Sequence, residues 1–385
     1  MRMFILGGFS IRRPRYEITQ ARSLEWLSDV HAEAQNTLES LNASDRALFA
    51  TRMRKLIERC ACGPAQVGSR GHVTADLGSS EFEHSQLFDV TRHPHGLGTA
   101  ARSQLFAEIV NEYFDAEFEP ETRAPSELIH VTCTGYVSPS GAQRLVASRG
   151  WGDRTHVTHA YHMGCYAAFP AIRMAAGQLS VPNTFSRAGS EPRVDIVHTE
   201  LCTLHLDPSQ HSAEQCVVQS LFADGFVRYS LRSTDAGPGL EVLALSEQIL
   251  PDTAQSMSWA TGDFGMRMTL ARDVPDHIAS ALRPFVSALL EKAGLGLAAL
   301  RDCVVAVHPG GPKIIDRVRE VLEVREAQVA ASRAVLFDYG NMSSATLPHV
   351  WQRLLEDPQV SVGTPILSLA FGPGLTVCGG LFRKR

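Results

Sequence analysis

Three short segments carry residues that could do chemistry. In Gly164-Cys165-Tyr166-Ala167-Ala168-Phe169-Pro170 a glycine precedes a cysteine and an apolar stretch follows, which predicts a helix over Cys165–Ala176. A thiol at a helix start sits in the positive end of the helix dipole, which favours the nucleophilic thiolate. In Cys303-Val304-Val305-Ala306-Val307-His308-Pro309-Gly310-Gly311-Pro312 an apolar strand delivers a histidine to its end. The two glycines let a substrate approach the backbone closely, and proline opens the next helix. A histidine so placed can serve a thiol as base or an oxyanion as donor. In Tyr339-Gly340-Asn341-Met342-Ser343-Ser344-Ala345 the glycine frees a turn, and the Asn341 amide can point its N–H₂ at a developing oxyanion. Taken singly, each also reads as ordinary structure: a core cysteine, a histidine at a strand end, a turn asparagine.

Together, in this order, the three segments resemble type III polyketide synthases, the chalcone-synthase-like group of the thiolase-fold superfamily, in its bacterial branch. Leu221-Phe222-Ala223-Asp224-Gly225, Asp273-Val274-Pro275 and Phe371-Gly372-Pro373-Gly374-Leu375-Thr376-Val377 match further blocks of that family, from about Leu128 to Val377. Ala370 stands where the closing block usually has its first glycine.

The resemblance implies an α/β, thiolase-like layered αβαβα fold of two related halves, here divided as residues 1–232 and 233–385, in a homodimer. It implies that Cys165 takes an acyl group from a thioester, and that His308 supports the thiolate and with Asn341 holds the extender's carbonyl. It further implies a pocket made by Phe222, Met268, Thr132, Cys133, Thr134, Cys202, His205, Phe371, Gly372 and Ser343. Met268 replaces a second gating phenylalanine. Aligned on Glu200, Cys202 and His205 replace pocket threonines. Met268, Cys133 and Cys202 favour an aliphatic starter, and His205 points the other way. Lys313, Arg54 and Lys55 are the candidates for phosphate contacts. Substrates would be acyl-CoA and malonyl-CoA, or chains on acyl carrier proteins, with no tightly bound cofactor. Two alternatives are a stand-alone ketosynthase joining two carrier-bound β-ketoacyl chains into an α-pyrone, and a non-catalytic scaffold of the same fold. The presence of all three chemical residues favours an enzyme.

The elements that must position these residues are legible in outline. Leu24, Trp26, Leu27 and Val30 mark one helix and Ala47–Cys60 another. Leu128–Cys133, Val194–Leu206, Val242–Leu250 and Met266–Leu270 read as strands, Pro312–Val324 as a helix, and Pro365–Leu369 with Leu375–Cys378 as a closing hairpin. Ser233–Gly239 is rich in turn residues and predicts a junction between the halves. The 385 residues are 44% apolar, which allows a large core. A net charge of −5, with only four lysines, argues against bulk nucleic-acid binding. Met1–Gly8 is too short an apolar run for a signal peptide and reads as a buried strand. No run is long enough to span a membrane, so the expected place is the cytoplasm. The eight cysteines are irregularly spaced and are expected as thiols. His156, His159 and His162 lie in a strand-like segment that puts His156 and His159 on opposite faces, so no metal is expected there. No glycine-rich nucleotide fingerprint occurs.

Overall fold

The computed structural model describes residues 3–181, 191–233 and 237–385. Its strands are β1 (Ile5–Arg12), β2 (Tyr16–Thr19), β3 (Ser69–His72), β4 (Pro125–Thr132), β5 (His156–Tyr161), β6 (Glu191–Leu201), β7 (Asp224–Arg232), β8 (Leu240–Ile249), β9 (Met257–Gly262), β10 (Gly265–Leu270), β11 (Val304–Val307), β12 (Pro365–Gly372) and β13 (Thr376–Lys384). Nine of them form one mixed sheet in the order β11-β12-β13-β8-β1-β7-β6-β4-β5. Pairing is parallel for β4 with β5, β4 with β6 and β11 with β12, and antiparallel elsewhere in that sheet. The two wings meet where Ile5 and Leu6 of β1 pair with Glu241 and Leu240 of β8. This is the α/β architecture expected. The junction expected over Ser233–Gly239 includes residues 234–236, which lie outside the described residues.

Burial on both faces explains the sequence of β4. Leu128, Ile129 and Val131 are fully buried, because helices cover the parallel strands on either side. The first long helix, Gln20–Glu39, is capped by the Thr19 side chain and buries Trp26, Leu27 and Val30 as their spacing predicts. The second, Ala43–Cys60, adds Met53 and Ile57 to the same core.

The helices that follow the cysteine and the asparagine do more for the site. Ala168–Ser180 and Thr346–Glu356 bury Ala168, Phe169 and Ile172 against Leu347, Val350 and Trp351 in one cluster. Phe169 and Trp351 meet edge to face, with ring centroids 5.8 Å apart. Burying one such side chain is worth about 1.5–3 kcal/mol. This shared core holds the Cys165 turn and the Asn341 turn at a fixed separation.

Several elements differ by a few residues from the expected bounds, and three of these departures bear on the site. The cysteine lies in a 3₁₀ turn, Gly164–Tyr166, and the helix proper starts at Ala168. β6 ends at Leu201, and Cys202–His205 form another 3₁₀ turn. The closing hairpin is longer than expected: β12 runs on to Gly372 and β13 to Lys384, with β13 pairing β8 as well as β12. Among the described residues no group of three His, Cys, Asp or Glu is placed to hold a metal ion, and no helix is long and apolar enough to cross a membrane.

Candidate active site

Cys165 is positioned by two close backbone approaches. Gly164 has φ +77°, and a Cβ there would lie 2.8 Å from Pro373 Cδ. A Cβ on Gly372 would lie 2.6 Å from the Tyr166 ring. Glycine at both places lets the β12–β13 turn press against the cysteine turn. The Cys165 thiol is buried and donates to Ser343 Oγ at 3.8 Å. Burial pushes it up to about 12, the nearby Glu200 adds to this, and the Ser343 contact opposes it. The expected thiolate-favouring helix dipole is therefore outweighed: two residues separate the cysteine from Ala168, and desolvation penalises the charge.

His308 follows β11, and its backbone N–H bonds Leu369 O at 2.7 Å, continuing the β11–β12 pairing by one residue. Its ring is buried, and burial lowers it to about 3, so it is neutral near pH 7. Neither ring nitrogen has a hydrogen-bond partner. The thiol's partner is Ser343 instead.

Asn341 is held by its backbone. Its N–H donates to Leu221 O at 3.0 Å, and its carbonyl accepts from Ala223 N at 2.9 Å. The Oδ1 atom accepts from Ser343 N at 2.9 Å, which makes the N–H₂ end the one available to another group. Two residues on, the Ser343 hydroxyl bridges Cys165 and Cys133, the latter at 3.1 Å.

A cavity of about 340 Å³, part of it open to solvent, lies against Cys165. Of the expected pocket residues, Cys133, Thr134, Cys202, Phe222, Met268 and Ser343 line it. An adjacent cavity of about 450 Å³ shares Cys202, Phe222 and Met268 as walls and reaches His205. His205 belongs to that second cavity alone, with Nε2 donating to Thr134 O and Nδ1 accepting from Met266 N. Thr132 is turned into a buried network with Thr134 and Glu200. Phe371 packs in the core of the C-terminal wing, and Gly372 serves the close approach to Tyr166. His308 and Asn341 are not among the lining residues of the cysteine cavity. Lys313, Arg54 and Lys55 are all exposed, the first at the second residue of the helix Pro312–Leu322 and the others on Ala43–Cys60.

Two contributors escaped the sequence reading. Trp259 lines both cavities and donates from Nε1 to Cys133 O at 2.6 Å. It is the cross-strand partner of Met268 in the β9–β10 hairpin. Counting three residues outward from Gly262 and Gly265 around their turn would have paired them. The other is Glu200, fully buried, whose Oε2 accepts from Cys133 N and Thr134 Oγ1, each at 3.0 Å, and from Cys133 Sγ at 3.4 Å.

Comparison with known proteins agrees with this architecture. Residues 241–384 match the family described as chalcone and stilbene synthases, C-terminal domain. A probable polyketide synthase 1 of Dictyostelium discoideum is 30% identical over 260 residues, 66% of this chain but 8% of that protein. A type III polyketide synthase C of Arabidopsis thaliana is 28% identical over 267 residues, 67% of each chain. A 1,3,6,8-tetrahydroxynaphthalene synthase of Streptomyces coelicolor is 30% identical over 250 residues, 65% of this chain and 64% of that one. The matched segment thus spans a small part of the first relative and about two thirds of the others. These relatives come from a slime mould, a plant and a bacterium, and they single out no branch. In overall fold the chain is similar to PKS-I of the brown alga Ectocarpus siliculosus, with TM-score 0.82, 22% identity and coverage of 100% of this chain and 99% of the other. The crystal structure of the Streptomyces coelicolor tetrahydroxynaphthalene synthase gives 0.79, 23% and 99% of each chain. The fold is thus thiolase-like, and the C-terminal part of the chain is similar to chalcone and stilbene synthases, as longer stretches of it are to type III polyketide synthases.

Proposed function

We propose that this protein makes a polyketide by decarboxylative condensation on Cys165. The observation that carries this reading is the Cys165 thiol facing an apolar cavity, with the Ser343 hydroxyl against it and Asn341 two residues away on the same turn. In the loading step the sulfur attacks the carbonyl of an acyl thioester, and the donor thiol leaves with the cysteine's proton. A malonyl-type extender then loses CO₂, and the resulting enolate attacks the acyl-cysteine. The new carbon–carbon bond forms as the Cys165 sulfur leaves and regains a proton. Holding both partners in one cavity makes the second step effectively intramolecular. Asn341 N–H₂ and neutral His308 act as donors to the extender's enolate oxygen, the charge that develops in the reaction.

Met268, Cys133 and Cys202 among the walls favour an aliphatic starter over a phenolic one. Donors would be coenzyme A thioesters or chains on acyl carrier proteins, with Lys313, Arg54 and Lys55 as contacts for their phosphates. We take residues 1–232 and 233–385 as the two related halves, acting in a homodimer and without a tightly bound cofactor.

The test is mass spectrometry after incubation with panels of acyl-CoA and acyl-carrier-protein donors, then with malonyl-CoA. Acyl adducts confined to the Cys165 peptide, followed by release of an extended product, are the expected result. Adducts on Cys133 or Cys202 at undiminished rate in Cys165→Ala would overturn it.

A further inference from the structure

The hairpin β9–β10 forms a two-stranded sheet of its own, and among the described residues no strand of the nine-stranded sheet pairs with it. A lone two-stranded hairpin is marginally stable at best, so this one is placed by whatever its edge and tip are fastened to. The outer edge of β10 is held by side chains. Met266 N–H donates to His205 Nδ1 at 3.1 Å, Met268 O accepts from Gln215 Nε2 at 2.8 Å, and Leu270 N–H donates to Glu214 Oε1. The tip is held by Thr99, which lines neither cavity. Its N–H donates to Asp263 O at 2.8 Å, its hydroxyl donates to Gly262 O, and the same hydroxyl accepts from Gly265 N–H at 2.8 Å. Thr99 opens the helix Thr99–Glu117, so its N–H is one of the donors left over at a helix start, and the hairpin supplies the acceptor. Beside this contact the exposed Phe264 stacks on His95, with ring centroids 4.2 Å apart and planes 13° apart, and His95 Nδ1 lies 2.7 Å from Ser209 Oγ.

The inner face of the same hairpin separates two spaces. Cys202, Phe222, Trp259 and Met268 are the residues that the cysteine cavity and the adjacent cavity share, so they form the partition between them. Phe222 is fixed, because the backbone on either side of it bonds Asn341. Trp259 and Met268 are cross-strand partners and move with the hairpin. Resting on the reading of Cys165 as the acyl-bearing residue, we propose that Thr99 and the Phe264–His95 stack form a latch that positions Trp259 and Met268, and that this latch limits the length of aliphatic acyl chain the protein accepts. With the tip fastened, the two side chains close the passage between the cavities. With the tip released, the hairpin tilts on its base and the cavities join, so a chain on Cys165 runs on into the second. That space has Leu77, Leu206, Val218 and Met266 among its walls, which favour each methylene buried there. Thr99 is thus a positioning residue, acting on the chain only through the hairpin.

Two measurements test this, and the first needs no acyl donor. Trp26, Trp151 and Trp351 are at most 5% exposed, so of the four tryptophans the half-buried Trp259 is the one an aqueous quencher reaches. Quenching of tryptophan fluorescence by acrylamide therefore reports the hairpin. Thr99→Val and Phe264→Ala are expected to raise the quenching constant several-fold, and the increase should vanish when Trp259→Phe is added. The second measurement is mass spectrometry of Cys165 after incubation with saturated acyl-CoA donors of increasing chain length. Both variants are expected to load longer chains than the unaltered protein does, and short chains as before. Thr99→Ser keeps the hydroxyl and should match the unaltered protein in both measurements. Where unfolding curves show that Thr99→Val does not fold, Phe264→Ala, which removes the stack alone, decides. Unchanged quenching, or a Thr99→Ser variant that behaves like Thr99→Val, would overturn the latch. Stronger quenching with an unaltered length profile would overturn its hold on chain length. If the unaltered protein takes no acyl group on Cys165, the reading of that residue fails and chain selection with it, while quenching still decides the latch.

Discussion

Phe222 and Asn341 are joined by a backbone bridge of two hydrogen bonds, Asn341 N–H to Leu221 O and Ala223 N–H to Asn341 O. A wall of the cysteine cavity and the amide of the same site are therefore one rigid unit, although they lie 119 positions apart in sequence. The bridge crosses between the wings of the sheet, so the site's geometry depends on both wings being folded. A change that moves the Phe222 backbone displaces the amide as well.

Asn341→Ala keeps this bridge, since the bridge uses only backbone atoms. It removes the N–H₂ donor and the Oδ1 acceptor of Ser343 N. Loss of one preorganised oxyanion donor costs roughly 10²–10³-fold in rate. Condensation is expected to fall by that factor while acyl loading on Cys165 remains measurable by mass spectrometry. Equal loss of both steps would make Asn341 a structural residue.

Met268→Phe tests the cavity wall. Met268 faces Trp259 across the β9–β10 hairpin, and both line the two adjoining cavities. A rigid ring in place of a flexible thioether takes space that an acyl chain would use. The longest acyl chain loaded, or the longest product released, is expected to shorten. An unchanged chain-length profile would place the acyl group elsewhere.

The chemical residues were legible because each sits in a local pattern. His308 ends an apolar strand, Asn341 follows a turn glycine, and Cys165 precedes an apolar helix. What could not be read was whatever depends on pairing between distant segments. The Cys165 thiol is pushed up chiefly by its burial, with Glu200 adding to it and Ser343 opposing it, so a local dipole argument missed the direction of its shift. Thr132 and Thr134 lie two apart in sequence, yet only Thr134 lines the cavity, because Thr132 is still within β4 and faces the Glu200 network. The continuity of the sheet rests on two residues of β1, which no period in the sequence marks.

Acid should unfold this protein in a window set by its histidines. His130, His198 and His308 are lowered to about 3, and His31, His205 and His349 to about 4, in each case chiefly by burial. In the unfolded chain such groups bind protons near pH 6.5. Their folded values are depressed, so their contribution is fully present above pH 6.5 and is lost as pH falls from there towards 4. Each costs about 1.4 kcal/mol per pH unit in that range. Asp224, raised to about 7 by burial, acts in the opposite sense and offsets about one of them. Urea midpoints are expected to fall steeply from pH 6.5 to pH 5, and His198→Gln should flatten the slope. A midpoint constant down to pH 5 would contradict this account.

Arg70 provides the last prediction. Its guanidinium is buried and, among the described residues, has no carboxylate in hydrogen-bond contact; its donors go to Gln20 Oε1, Ser23 Oγ and the carbonyls of Gln219 and Phe222. The two carbonyls lie at the end of the helix Ala213–Leu221, where acceptors lack intrahelical partners and a cation meets the negative end of the dipole. Arg70 therefore fixes the Phe222 backbone from one side while Asn341 bridges it from the other. Arg70→Met strands two buried carbonyls, and hydrogen bonds to charged groups are worth about 1.5–3 kcal/mol each, so a loss of about 3–5 kcal/mol is expected in urea unfolding. Arg70→Lys keeps the charge but lacks the planar fork, and should recover part of the stability without restoring the position of Phe222. In Arg70→Lys, loading of Cys165 is expected to persist while condensation slows several-fold, because displacement of Phe222 is transmitted to Asn341. If Arg70→Lys condenses at the unaltered rate, the bridge between Phe222 and Asn341 does not depend on the arginine.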